Sequence, residues 1–215
     1  MNVTRRRLLG TIGTVPFVAT SLAGASGEAG PAWAAGFIRR IGDELAVVMA
    51  NASSSDARRR NLQPFLDRVV DVDGVARFCL GRFWRQASPA QQQDYVQLFH
   101  AILTNAVLSR VGDYDHNEVR TRIDQPEIRD DAVQVPTVVE RSGNPPVKVI
   151  WVVNGGADNP RIVDVIAEGV SLRLTIRSDY AAYLAHHGDS IDALIGALRQ
   201  QACDGCTPPR RPGGQ

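Results

Sequence analysis

Apolar residues recur every three or four positions as far as Gly112, every second position from Asn117, and every three or four again from Leu172. Within residues 36–50, Ile38, Ile41, Leu45 and Val48 mark a first amphipathic helix, and Asn51 to Ser55 is a polar loop. A second helix is expected to begin near Asp56 as N-cap and to bury Leu62, Phe65, Leu66 and Val69, with Pro64 kinking it. Asp71 or Asp73 then caps a short helix that turns Val75, Ala76, Cys79 and Leu80 inward and stops at Gly81. Ser88-Pro89-Ala90-Gln91 is a helix start with a capping box, since Ser and Gln three residues apart can satisfy each other's free backbone N–H. The long helix behind it carries Tyr95, Leu98, Phe99, Ile102, Leu103, Ala106, Val107 and Val111 on a broad face.

The period of two begins with Val119, Thr121 and Ile123, and continues through Val133, Val135, Thr137 and Val139. Ser142-Gly143-Asn144-Pro145 reads as a turn, after which Val147, Val149, Trp151 and Val153 alternate; a second turn at 154–159 leads into Ile162–Ala167. Such short connections predict a four-stranded antiparallel meander. Glu168-Gly169 then leads to Ser171, an N-cap candidate for a helix over about 172–186, and a last helix over 190–201 buries Ile191, Leu194, Ile195 and Leu198. Helices, meander, helices: the order predicts an α+β fold, with helices laid on a curved sheet. Sequence alone leaves open whether the space between them is a filled core or a cavity.

Composition adds an address. Arg5-Arg6-Arg7 precede a mostly apolar run from Leu8 to Ala25, and Ala32-Trp33-Ala34 is a small-x-small cleavage site. Residues 1–34 therefore read as a cleaved export signal, with Thr4-Arg5-Arg6 suited to the twin-arginine route. Gly10, Gly13, Pro16 and Gly24 make this run a poor membrane span. Residues 35–202 form the expected domain, and 203–215 an expected disordered tail. With a formal charge of +1 on 215 residues, nothing points to nucleic acid as a partner, and Arg58-Arg59-Arg60 reads as a solvated helix face. Cys79 lies on an apolar helical face; Cys203 and Cys206 follow a helix rather than open one, which favours a local disulfide over redox catalysis.

Candidate chemistry is sparse. There is no Gly-rich phosphate loop, no Gly-x-Ser-x-Gly elbow and no His-Glu-x-x-His, so neither a cofactor nor a metal is expected. Asp113, Asp115 and Glu118 lack calcium-loop spacing. His100 reads as a hydrogen-bonded helix histidine, and His186-His187 as cations at a helix C-terminus. Asp164 and Glu168 share a strand face, a pair that could do acid–base work, but hydrogen bonds to turn amides or to Arg177 account for them without catalysis. An isomerase- or hydratase-like enzyme would need Asp94 or Asp164 beside Tyr95 or Tyr114 in an apolar cavity. An adaptor that only binds envelope proteins would have a fully packed interior.

Leu80-Gly81-Arg82-Phe83-Trp84-Arg85-Gln86-Ala87-Ser88-Pro89, with Gln91, Tyr95 and Phe99, resembles one signature of the MlaC/toluene-tolerance family. Asp164-Val165, Glu168-Gly169-Val170-Ser171, Arg177 and Tyr180 resemble its second, in the expected order, so the resemblance spans about 36–200. It implies a nuclear-transport-factor-like fold enclosing an apolar lipid pocket, and a non-enzymatic periplasmic carrier of phospholipid. It further implies partners in an outer-membrane lipoprotein complex and in the lipid-binding subunit of an inner-membrane ABC transporter. A branch of the family accompanies hopanoid biosynthesis, which makes a hopanoid an alternative ligand. The signatures name no pocket residues. Alternation and helical faces supply the candidates: Phe83, Trp84, Phe99, Leu103, Val107, Val149, Trp151, Val165, Val170, Leu172 and Tyr180. On this reading Glu168–Ser171 is a structural hinge holding one wall of the pocket, and Val170→Asp is expected to reduce lipid retention.

Overall fold

The structure is a computed structural model that describes residues 31–111, 119–141 and 143–204. Four helices come first: α1 (Ala32–Ala50), α2 (Ser55–Val69), α3 (Val72–Leu80) and, after a 3₁₀ turn at Gly81–Arg85, α4 (Pro89–Val111). Strands β1 (Val119–Ile123), β2 (Glu127–Arg129), β3 (Ala132–Arg141), β4 (Val147–Asn154), β5 (Arg161–Ala167) and β6 (Val170–Ser171) follow, then α5 (Leu172–His186) and α6 (Ile191–Asp204). The chain is α+β, as its periodicities predict.

Local chemistry explains the boundaries. Ser54, not Asp56, caps α2, its hydroxyl accepting from the Ala57 N–H at 3.1 Å, and α2 runs on through Pro64. Asp71 caps α3 through the Gly74 N–H at 3.1 Å. At α4 the reciprocal pair forms: Gln91 N–H donates to Ser88 Oγ at 3.2 Å and Ser88 N–H to Gln91 Oε1 at 2.9 Å. Gly81 stops α3 at φ +61°, ψ −129°, a conformation that L residues with a side chain avoid. Glu168 and Gly169 both take positive φ, 49° and 83°, which closes the two-residue hairpin between β5 and β6.

All strand pairs are antiparallel, in the order β1-β3-β4-β5-β6, with β2 pairing the start of β3 on the β1 side. The four expected strands are the four long ones, and the register places their alternating residues on a common face. Its rows are Val133–Val153–Ile162, Val135–Trp151–Val165 and Ile123–Thr137–Val149–Ala167–Val170. A bulge between Val152 and Val153 leaves Val163 unopposed and lets both faces of β5 bury their residues.

Two apolar clusters result. One is helical and joins α3, the 3₁₀ turn, α4, α5 and α6 around Cys79, Phe83, Tyr95, Phe99, Leu184 and Leu194. The other joins α1 and α2 to the common sheet face, through Phe37, Ile38, Leu62, Phe65, Val133, Val135, Val153 and Ile162. Val70 and Leu103 touch both.

Residues 1–30 and 205–215 lie outside the described residues, and with them most of the export signal, Cys206 and the tail. The expected cut after Ala34 falls in the first turn of α1, where Ala34 is itself buried in the second cluster. Among the described residues no helix is long and apolar enough to cross a membrane.

Candidate functional site

Burial falls off along the sheet's common face. Val133, Val135 and Val153 are closed off beneath α1 and α2. In the row of Val135, Trp151 and Val165 are half-buried, as are Val149 and Ala167 in the next row, and Val147 and Val170 stand 42% and 55% exposed at the margin. Leu103, Val107 and Leu108 of α4 and Leu45 and Val48 of α1 are likewise half-buried against the second cluster. This half-exposed apolar margin of the second cluster, where residues of the sheet, α1 and α4 pack, is referred to as the cleft.

The polar atoms on this face are already used. Thr137 Oγ1 donates to the Val149 carbonyl at 3.0 Å and accepts the Trp151 Nε1–H at 3.2 Å. A buried hydroxyl and indole left unpaired would each cost about 1–3 kcal/mol; paired with each other, they leave a surface that offers an occupant dispersion and dryness. That suits a hydrocarbon and supplies no nucleophile, acid or base.

The residues expected to line a pocket divide between the two clusters. Leu103, Val107, Trp151 and Val165 come together in the cleft, and Val149 sits beside them in register with Thr137 and Ala167. Phe83 and Phe99 are buried in the helical cluster, with Trp84 and Tyr180 packed against it. Val170 ends a row at the rim, and Leu172, 46% exposed, opens α5 at the surface. Ile123, Leu108, Leu45 and Val48 belong to the cleft without having been singled out. For Leu45 and Val48 the signal was the helical stripe of α1; for Ile123 it was strand register, which the sequence does not display.

The pair an enzyme would need is not assembled among the described residues. Asp94 sits at the surface, bound to Arg199 at 2.7 Å. The fully buried Tyr95 phenol donates to the Ala76 carbonyl at 2.8 Å, and burial pushes its ionisation far above the ordinary tyrosine range, as it does for Tyr180. Asp164 is a structural knot: it accepts from the Val165 N–H, the Arg173 N–H and the Ser171 hydroxyl at 2.8, 3.1 and 2.6 Å, with Arg173 Nε at 3.4 Å. Glu168 accepts from the Lys148 backbone N–H. His100 bridges Asp67 on α2 and Asp73 on α3, 2.7 Å from each. Tyr114, Asp113, Asp115 and His116 lie outside the described residues. No group of three or more described His, Cys, Asp or Glu side chains is arranged to hold a metal.

Two concavities open beside the turn between β4 and β5. One, of about 200 Å³, is lined by Phe37, Ile41 and Val69 with Arg40, Glu44 and Arg68; the other, of about 600 Å³, by Asp67, Asp71, Asp73, His100 and Arg161. Both are rich in charge, and neither is bordered by the apolar residues of the cleft.

Residues 39–200 match the family model described as MlaC protein. The chain belongs to the MlaC family. Its fold is similar to that of a phospholipid-binding protein from Ralstonia solanacearum, solved in complex with a phospholipid. The TM-score is 0.68 at 20% sequence identity, covering 81% of this chain and 99% of the other. In this MlaC-family chain the two signature runs meet in space. A Cβ on Gly81 would lie 3.2 Å from the Arg177 guanidinium carbon, and Arg177 Nη1 donates to the Phe78 carbonyl at 2.9 Å. At Gly81, Phe78 and Arg177 the signatures thus mark a joint between α3 and α5.

Proposed function

We propose that this chain is a periplasmic lipid carrier that binds rather than transforms its ligand, sheltering phospholipid acyl chains in the cleft between α1, α4 and the sheet. One observation carries the reading: a half-exposed apolar face whose polar atoms are satisfied by one another. Family membership and the phospholipid bound by the Ralstonia protein support it. Each methylene hidden from water contributes about 0.8 kcal/mol, so a dozen from one chain amount to roughly 10 kcal/mol, enough for retention without headgroup contacts. The headgroup stays in solvent at the rim beside Val147 and Val170.

The resemblance extends the proposal to traffic. Loaded carrier passes between an outer-membrane lipoprotein complex and the lipid-binding subunit of an inner-membrane ABC transporter, after export and cleavage after Ala34. The test is to purify the mature protein from the periplasm under mild conditions and extract it for lipid mass spectrometry. Stoichiometric phospholipid is expected, and its mass separates phospholipid from hopanoid. Repeated recovery without lipid, from protein that also fails to take lipid up from vesicles, overturns the proposal.

A further inference from the structure

Between Gly74 and Gln93 the chain has no acidic residue but three arginines, Arg77, Arg82 and Arg85, all exposed. The fold brings a fourth, Arg177 of α5, against the end of α3 at Phe78 and Gly81, next in sequence to Arg77 and Arg82. Three of these side chains rest on aromatic rings. The Arg77 guanidinium lies over the Trp84 ring at 5.0 Å, Arg82 over Phe83 at 4.7 Å, and Arg177 over Phe78 at 4.9 Å. Nearby carboxylates do little to neutralise them: Asp164 is buried and committed to Arg173, and Asp189 stands 3.9 Å from Arg82 with both side chains more than half exposed. Leu174, 55% exposed, adds an apolar contact one helical turn from Arg177.

We propose that this arginine-and-aromatic face of α3, the 3₁₀ turn and α5 is a docking surface for an acidic protein partner. Stacking restricts the guanidinium planes of Arg77, Arg82 and Arg177, so carboxylates can be met with little further loss of side-chain freedom. Arginine and tryptophan, here side by side at Arg77 and Trp84, are residue types enriched at the energetic centres of interfaces. A bilayer site would instead use aromatic or aliphatic side chains free to insert, and here Phe78 and Trp84 lie half-buried under guanidinium groups. The surface does not depend on what the cleft holds.

The experiment uses the full mature chain and, as probe, a synthetic amphipathic peptide of Glu, Leu and Ala, followed by tryptophan fluorescence with Trp84→Phe to assign the signal. Saturable, salt-sensitive binding is expected. It should weaken about tenfold or more in the Arg77→Glu/Arg82→Glu/Arg85→Glu variant and stay unchanged in Arg60→Glu, a charge reversal on α2. If the triple variant does not fold by circular dichroism, Arg82→Gln/Arg85→Gln gives the same comparison, with a smaller loss expected. No peptide binding, or an equal loss in Arg60→Glu, overturns the proposal. So does binding to phosphatidylglycerol vesicles, lost in the triple variant, without peptide binding, which would assign the face to a membrane.

Discussion

Val149 and Val170 stand in the same row of the sheet face, one half-buried and one at the rim, and they separate the interior of the cleft from its edge. An aspartate at Val149 puts a charge where no partner waits, while one at Val170 remains largely hydrated. Val149→Asp should therefore abolish most lipid co-purification and Val170→Asp lower it less, by mass spectrometry of folded protein; equal effects would place the acyl chain outside this row. Cys79 shows how far burial controls chemistry here. Its thiol is 1% exposed, and desolvation, reinforced by the charge of Asp164, pushes it up from 9.0 to about 12. The unfolded thiol ionises above about 9 and the folded one does not, so unfolding releases a proton across that window. Stability due to Cys79 is complete below pH 9 and falls as pH rises toward 12, by up to about 1.4 kcal/mol per pH unit. Comparing urea midpoints of the wild type and Cys79→Ala between about pH 8 and pH 11 tests this slope; Tyr95 and Tyr180, raised chiefly by burial, contribute to both curves. Parallel curves would contradict it.

At the scale of elements, the junction of β5 with α5 is tied by one carboxylate. Asp164 gathers two backbone N–H groups, the Ser171 hydroxyl and Arg173, while Ser171 Oγ accepts from the Leu174 N–H at 3.2 Å to cap α5. Ser171→Ala should cost about 1 kcal/mol as a lost cap. Asp164→Ala leaves several of these groups unpaired at once and should cost roughly 2–4 kcal/mol, read as a lower urea midpoint at unchanged slope. A smaller loss for Asp164→Ala than for Ser171→Ala would reverse the assigned hierarchy. These elements were legible in advance because their signals are local. Ser88 and Gln91, Asp71, Gly81 and Ser171 each act within four residues of themselves, and alternation alone set the long strands. Ser54 was missed in favour of Asp56 because serines crowd that loop and any one of them could cap α2. The site was less legible. Periodicity says that Phe83, Phe99, Leu103 and Val107 turn inward, not toward which of two cores. The 3₁₀ turn at Gly81–Arg85 sends Phe83 to the helical cluster, while Leu103, one turn of α4 beyond Phe99, already touches both.

At the scale of the molecule, these two cores have different work to do. The helical cluster closes on buried side chains from five segments and is anchored by Tyr95 on Ala76 and by Arg177 on Phe78. The second cluster, between α1, α2 and the sheet, grades into half-exposed apolar groups, the place proposed above for the acyl chain. Local stability follows the density of buried contacts, and hydrogen exchange reports it segment by segment. Lipid bound to the folded chain alone should also raise the melting temperature by mass action. The expected pattern on loading delipidated protein is slower exchange in α1, the C-terminal half of α4 and β3–β5, with little change in α3 or α6. Protection spread evenly over both clusters would mean that the ligand stabilises the molecule as one unit. Protection confined to α3, α5 and α6 would move the binding site to the helical core, where Phe83, Phe99 and Tyr180 lie.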